Sequence, residues 1–130
     1  MTGTSAKDIA QRGPTVMNAR TEPSTVELNR ELKPFQKSEI LADVKDFDST
    51  ISKVTVKFTQ VPVQIPMTNI GGSTWRAEIS PSQLKSLAVS GKTMKYEAQI
   101  EARNEKGQVA IARDPITVSV KTPDLSYYKS

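Results

Sequence analysis

An alternation of apolar and polar residues with a period of two restricts the fold of this 130-residue chain more than any other feature. In Met94–Ala102, every second side chain is apolar, and those between are charged or amides. Because successive side chains of a β-strand point to opposite faces, such a segment has one buried face and one solvated face. The pattern returns in Ile40–Val44, Val54–Phe58, Trp75–Ile79 and Ile116–Val120. It predicts antiparallel sheets that are packed on one side only.

The segments between these strands are typical of turns. Asp, Asn, Gly and Ser favour turns, and they are concentrated in Asp46–Thr50, Asn69–Ser73 and Asn104–Gly107. About seven strands joined by short turns predict an all-β protein with the architecture of a β-sandwich.

The segment Val61–Met67 alternates as well, but it carries Pro62 and Pro66. Because proline has no N–H group, both residues remove hydrogen-bond donors from one side of the strand. The segment is therefore predicted to be an edge strand whose open side does not recruit another strand. A loop without regular pairing is the alternative interpretation.

One short helix is predicted at about residues 81–89, as a crossover between the two sheets. Ser80 can accept a hydrogen bond as the N-cap, a proline follows it, and Gln83 completes a capping box. Leu84 and Leu87 then share one apolar face of the helix.

The two ends of the chain differ in composition from its middle. Residues 1–14 are small and polar and are predicted to form a flexible leader or tether, residues 15–122 the domain, and residues 123–130 a tail or linker. A polar tether of this kind follows the lipidated cysteine of bacterial lipoproteins, so a lipid anchor upstream of Thr2 is one interpretation. A vector-derived end and an inter-domain linker are the others. The chain has no apolar run of about 18 residues, and no transmembrane segment is predicted.

The absence of both cysteine and histidine excludes much chemistry. Zinc and most transition-metal sites need these ligands, and Ser-His-Asp and Cys-His catalysis need the imidazole. We therefore predict no enzyme activity, no cofactor and no metal site; a hydrolase built on carboxylates or a Ser-Lys pair is the remaining enzymatic alternative. The net charge of +4 arises from basic residues that are interleaved with acidic ones, and no nucleic-acid partner is predicted.

Three sets of residues are candidates for function, each beside a simpler structural interpretation. Asp43, Asp46 and Asp48 could supply oxygens to Ca²⁺, although Asp is also common in turns for its local hydrogen bonds. Trp75 is interpreted as a core residue, with a glycan-stacking platform as the alternative. The polar face of the longest strand could dock a partner or simply be solvated, and it carries Lys95, Glu97, Gln99, Glu101 and Arg103.

A spaced set of residues resembles a signature of fibronectin-type-III and related bacterial immunoglobulin-like domains: Leu87, Gly91, Tyr96, Ala98, Ile100, Ala102, Asn104 and Gly107. Upstream, the order of Ile51–Phe58, Met67, a Gly-Gly pair and Trp75–Ile79 resembles the middle of those bacterial domains. The resemblance covers roughly residues 36–121, and it implies a first strand somewhere within residues 15–32. The sequence departs from the pattern in having no tryptophan in Ile40–Val44 and no cysteine pair.

The resemblance implies an immunoglobulin-like antiparallel β-sandwich, in which the hydroxyl of Tyr96 bonds back to a nearby backbone group. It further implies a non-catalytic interaction or structural module of a bacterial cell-envelope or secreted protein, with a protein or glycan partner. A monomer is favoured, but the sequence does not determine the oligomeric state. The expected location is the periplasm, an outer-membrane lipoprotein or the extracellular space, while the cytoplasm stays open.

The alternative function is a carbohydrate-binding accessory module of a secreted enzyme. It predicts exposed aromatic side chains in a row, for which the candidates are Phe35, Phe47, Tyr127 and Tyr128.

Overall fold

A computed structural model describes residues 13–126, which fold into two β-sheets and one helix. In chain order the elements are β1 (Thr15–Glu22), β2 (Thr25–Glu27), β3 (Glu39–Lys45), β4 (Ile51–Phe58), β5 (Gln64–Pro66), β6 (Thr68–Gly71), β7 (Thr74–Glu78), α1 (Pro81–Leu87), β8 (Thr93–Asn104), β9 (Val109–Ile111) and β10 (Ile116–Lys121). The predicted leader, apart from its last two residues, and the two tyrosines of the tail lie outside the described residues.

The strands divide between two sheets, as the alternation predicts. The first sheet has the strand order β1-β3-β7-β6, and the second has the order β2-β10-β8-β4-β5, with β9 also paired to β8. Within these sheets, neighbouring strands are antiparallel, except that β2 runs parallel to β10. The all-β sandwich is therefore confirmed.

The apolar members of each alternating segment meet between the sheets and form one core. Because every second side chain points inward, single strands contribute regular sets to this core, as β8 does with Tyr96, Ala98, Ile100 and Ala102. The opposite sheet contributes Ile40, Ala42 and Val44 from β3. The intervening residues of β8 face the solvent, so the strand that is longest in the sequence pattern also separates core from surface most clearly.

Helix α1 begins where the sequence predicts. The Ser80 Oγ accepts a hydrogen bond from the Gln83 N–H at 3.2 Å, and the Gln83 side-chain oxygen accepts one from the Ser80 N–H at 3.0 Å. Leu84 and Leu87 are fully buried, so the helix covers part of the core. It connects β7 of the first sheet to β8 of the second, and the predicted crossover is confirmed, although the helix ends at Leu87, slightly before residue 89.

The first strand predicted within residues 15–32 is two strands in the structure. The chain leaves the first sheet at the end of β1 and enters the second sheet as β2, after only two residues. The segment therefore contributes an outer strand to both sheets and covers one side of the core.

The proline-containing edge strand is confirmed in a shorter form. Only Gln64–Pro66 is a strand, it pairs with β4 alone, and it lies at the edge of the second sheet. Pro62 lies in the bend before it.

The hairpin predicted at Asn104–Gly107 forms, with Gly107 in the left-handed region at φ +84°. It leads to the short strand β9, however, and not directly to the last strand. The Ala112 N–H still donates to the Ile100 carbonyl of β8 at 2.8 Å, and residues 113–115, which include Pro115, then interrupt the pairing before β10 begins. β9 and β10 both pair with β8, at successive positions along its length.

The described part of the tail is bonded to the domain. The Pro123 carbonyl accepts a hydrogen bond from the Gly91 N–H at 3.0 Å, and the Ser90 Oγ accepts one from the Leu125 N–H at 2.8 Å. Within residues 13–126, no helix is long and apolar enough to span a bilayer.

Candidate functional site

The outer face of the second sheet carries the predicted partner-docking residues. The five side chains project from β8 on the side opposite the core: Lys95, Glu97, Gln99, Glu101 and Arg103. Four of them are exposed and Glu101 is half-buried. The structure thus brings them onto one solvated face, and their role in binding stays a prediction.

Glu101 is neutralised on this face by a lysine of the neighbouring strand. The Lys57 Nζ on β4 lies 3.1 Å from both carboxylate oxygens of Glu101. The two residues are diagonal neighbours in the register, since Thr55 stands opposite Glu101. An ion pair at the surface contributes little to stability. Because Glu101 is already paired with Lys57, its negative charge does not balance the other cations that line the same cleft.

Lys53 and Arg103 stand directly opposite each other on β4 and β8. Both are exposed, and within residues 13–126 neither side chain forms an ion pair. Like charges in directly opposed positions of a sheet repel each other and destabilise the pairing. The outer face therefore retains two cations that no carboxylate of the described chain neutralises.

These cations border a small polar cleft and two exposed apolar side chains of β9. The cleft has a volume of about 160 Å³ and is lined by Lys53, Thr55, Lys57, Gln64, Glu101 and Arg103. Beside it, Val109 is opposite Arg103 and Ile111 is opposite Glu101, and these two apolar side chains are 45% and 52% exposed. We call Lys53, Lys57, Glu101, Arg103, Val109 and Ile111 the cationic patch.

The sequence pattern missed most of the cationic patch. β9 has three residues, too few for its alternation to stand out, and the opposition of Lys53 to Arg103 depends on a register between segments 50 positions apart. The sequence feature that could have indicated the patch is the solvent-facing side of the β4 segment, which carries two lysines.

A second surface feature lies at the loop between β2 and β3. Phe35 is 72% exposed there, although it is a large apolar side chain. The loop around it is closed by a bridge between Leu28 and Pro34 and by a hydrogen bond from the Phe35 N–H to the Glu27 carbonyl at 3.1 Å. The Asn29 side-chain oxygen also accepts hydrogen bonds from the N–H groups of Glu31 and Lys33, both at 2.9 Å.

Phe35 borders a cleft with a volume of about 490 Å³. We call it the Phe35 cleft, and its lining residues are Glu27, Leu28, Asn29, Arg30, Glu31, Phe35, Lys121 and Pro123. Across it, the Lys121 Nζ lies 3.6 Å from a carboxylate oxygen of Glu27. The other exposed phenylalanine, Phe47, is 88% exposed in the β3–β4 turn and lies outside this cleft.

Two of the three aspartates considered for calcium, Asp43 and Asp46, accept separate sets of hydrogen bonds within the protein. The carboxylate of Asp43 accepts hydrogen bonds from the Asn18 Nδ2 at 2.9 Å and from the Thr74 Oγ1 at 3.0 Å. These two bonds, the one from Asn18 first, lower the pKa of Asp43 below its ordinary value. Within residues 13–126, no group of three or more acidic side chains is arranged to hold a metal ion.

Asp46 organises the β3–β4 turn. Its carboxylate accepts hydrogen bonds from the N–H groups of Asp48 and Ser49 and, at 2.7 Å, from the Asn104 Nδ2. Partial burial acts to raise the pKa of Asp46, but the bonds from Asn104, Asp48 and Ser49 outweigh it, so that the pKa is lowered. The turn interpretation accounts for this carboxylate fully.

The two aromatic residues expected to be structural have unequal burial. The Tyr96 hydroxyl donates a hydrogen bond of 2.6 Å to the Leu87 carbonyl, as predicted, and thereby satisfies a carbonyl at the end of α1. Trp75 is only partly buried and packs against the core from its periphery, so the predicted core position is confirmed in part.

Comparison with known proteins gives a likeness of fold alone. No protein-family model and no curated protein matches the chain. Among solved structures, it is similar to part of an endo-β-1,4-mannanase from Thermotoga petrophila, with a TM-score of 0.53 and 15% sequence identity. The match covers 86% of this chain and 20% of the mannanase chain. This chain therefore spans about a fifth of the length of the mannanase chain.

Proposed function

We propose that the chain is a non-catalytic, immunoglobulin-like interaction module of a bacterial cell-envelope or secreted protein, and that it binds a protein partner through the cationic patch. The strand order supports the immunoglobulin-like assignment. β1, β3, β7 and β6 match the A, B, E and D strands of such folds, and β4, β8 and β9–β10 match C, F and G. The Tyr96 hydroxyl bond at the start of β8 also fits their tyrosine corner.

The like-charged pair of Lys53 and Arg103 carries the proposal of a binding function. A sheet that keeps two cations opposite each other gives up stability that a single substitution would recover. A partner that supplies an anion between Lys53 and Arg103 would relieve this repulsion. The exposed Val109 and Ile111 beside it would add apolar contact, so the partner that fits is a protein surface with carboxylates next to apolar side chains.

Charge reversal tests this function. The double variant Lys53→Glu with Arg103→Glu is compared with Lys37→Glu with Lys92→Glu, which makes the same change of net charge at exposed positions elsewhere. Binding to immobilised poly-L-glutamate, as a model acidic polypeptide, is measured for both. The patch variant is expected to bind about tenfold or more weakly than the control variant, because a loss of about 1.4 kcal/mol is a factor of ten.

A stability measurement tests the repulsion between Lys53 and Arg103 directly. Lys53→Glu alone places opposite charges across from each other and is expected to raise the free energy of unfolding by about 0.2–1 kcal/mol in urea titrations. Equal weakening of the two double variants would show that only net charge matters, and it would overturn the assignment of the patch.

A second candidate function is a carbohydrate-binding accessory module of a secreted enzyme. It is favoured by the Phe35 cleft. An exposed aromatic ring beside a cleft is the arrangement that this function needs; the aromatic residues that the structure describes do not form a row, since Phe35 and Phe47 lie in different loops.

A further inference from the structure

We infer that the Phe35 cleft binds a neutral carbohydrate, with the ring of Phe35 as its apolar platform. The inference rests on the second candidate function, names its site and ligand class, and is independent of the cationic patch. It is carried by three observations: an aromatic side chain that is held exposed, a cleft of ligand size, and a lining with balanced charge.

The first observation is that Phe35 is exposed on a well-anchored loop. Its own N–H group is bonded to the Glu27 carbonyl, the Asn29 side chain bonds two further N–H groups, and Leu32 adopts the left-handed conformation at φ +64°. A residue with that backbone conformation is uncommon outside glycine and needs surrounding structure to hold it. A side chain on such a loop loses little conformational freedom on binding, which favours affinity.

The second observation is the size and floor of the cleft. Its volume of about 490 Å³ falls in the range of about 300–1,000 Å³ that is usual for small-molecule sites. Leu28, which is buried, and Pro123, which is half-buried, give it apolar surface. The other lining residues, apart from Phe35, are polar or charged.

The third observation identifies the ligand class. The cleft is lined by two carboxylates, Glu27 and Glu31, and by two cations, Arg30 and Lys121. An anionic ligand would meet the carboxylates and a cationic ligand would meet the cations, so a neutral ligand fits this lining best. A hydroxyl group both donates to a carboxylate and accepts from a cation, and a carbohydrate presents several hydroxyls at the edge of an apolar ring face.

The polarity of the cleft distinguishes it from the cationic patch. The patch combines three cations with one carboxylate, whereas the cleft is balanced. Two surfaces of one small domain thus differ in the charge of the partner that each would accept, so variants of one surface serve as controls for the other.

The test is affinity electrophoresis of the chain in native gels. The gels contain a soluble neutral polysaccharide, which is galactomannan, xylan or hydroxyethylcellulose in separate runs, or the acidic polymer polygalacturonate. Phe35→Ala is compared with Phe47→Ala, which removes an equally large and even more exposed ring from a turn outside the cleft. Circular dichroism establishes that both variants fold.

The chain is expected to be retarded by at least one neutral polysaccharide. Phe35→Ala should raise the dissociation constant about tenfold or more, as truncation of a central binding residue does, while Phe47→Ala should leave it unchanged. The double charge reversal of Lys53 and Arg103 should also leave it unchanged, which separates this site from the proposed protein-binding face.

Three outcomes would overturn the inference. One is the absence of retardation by all three neutral polymers. The second is equal loss of retardation in the two phenylalanine variants, and the third is retardation by polygalacturonate alone. If Phe35→Ala instead weakened binding to poly-L-glutamate and not to a polysaccharide, the cleft would belong to a protein partner.

Discussion

Asp43 joins three strands of the first sheet through one carboxylate. It lies on β3, accepts one hydrogen bond from Asn18 on β1 and accepts another from Thr74 on β7. Asn18 has φ +53° and stands in the irregular part of the β1–β3 register, so its side chain reaches Asp43 where the regular pairing is interrupted. A single anion thus bridges an interruption in the sheet.

The lowered pKa of Asp43 makes the stability of the sheet depend on pH. Because the folded pKa lies below the ordinary value of 3.8, the contribution of this carboxylate is complete above pH 3.8 and is lost as the pH falls through the folded pKa. Asp46 has a lowered pKa and therefore the same sign. We expect the free energy of unfolding to decrease on acidification below about pH 4, and to decrease less steeply in Asp43→Asn.

Urea titrations over a series of pH values measure this dependence. The control is Asp114→Asn, at an exposed position between β9 and β10, which should keep the slope of the unsubstituted chain. If Asp43→Asn and the control had the same slope, the hydrogen bonds from Asn18 and Thr74 would contribute nothing to the ionisation of Asp43.

At the scale of elements, α1 is fixed at both of its ends. Its start is bonded reciprocally through Ser80 and Gln83, and its last carbonyl, that of Leu87, accepts the Tyr96 hydroxyl of β8. With Leu84 and Leu87 buried between these ends, a helix of seven residues is held although it is far too short to be stable alone.

The N-terminal cap is the part of this arrangement that a substitution isolates. Ser80→Ala removes the acceptor for the Gln83 N–H and is expected to lower the free energy of unfolding by about 1 kcal/mol. Ser86→Ala serves as the control, because Ser86 bonds only back to the Gln83 carbonyl on the exposed side of the helix. Its cost should stay within about 0.5 kcal/mol. Equal costs for the two variants in urea titrations would contradict a specific role of the cap.

The elements that the sequence predicts well are those with a long alternation or a complete set of end signals. The five alternating strands and α1 belong to this group, because their pattern of buried and exposed residues follows from the order of apolar and polar residues within each segment. β6 is exposed along its whole length and β9 has three residues, so neither has a pattern that differs from a loop. Of the candidate site, the wet face of β8 was predictable, whereas Lys53 opposite Arg103 and the exposure of Phe35 depend on long-range register and on loop geometry.

For the whole molecule, one core joins the two sheets. Residues of both sheets, together with Leu84 and Leu87 of α1, form a single buried cluster, and the segment β1–β2 contributes to both sheets. The apolar face of each sheet is buried by the other sheet. The domain is therefore expected to unfold in one cooperative step.

Two probes test this cooperativity. Trp75, the single tryptophan, lies on β7 and reports on the first sheet through its fluorescence, while far-UV circular dichroism reports on all strands. The two urea transitions are expected to coincide in midpoint and slope. A fluorescence transition that precedes the loss of circular dichroism would show that the first sheet opens separately.

The long strand β8 also fixes how far apart the two ends of the described chain lie. Gly13 lies beside Gln108, just after the end of β8, whereas Pro123 is bonded to Gly91, just before its start. Twelve residues of extended strand span roughly 40 Å at about 3.3 Å per residue. Gly13 and Pro123 therefore lie about one strand length apart, at opposite ends of the longest strand of the second sheet.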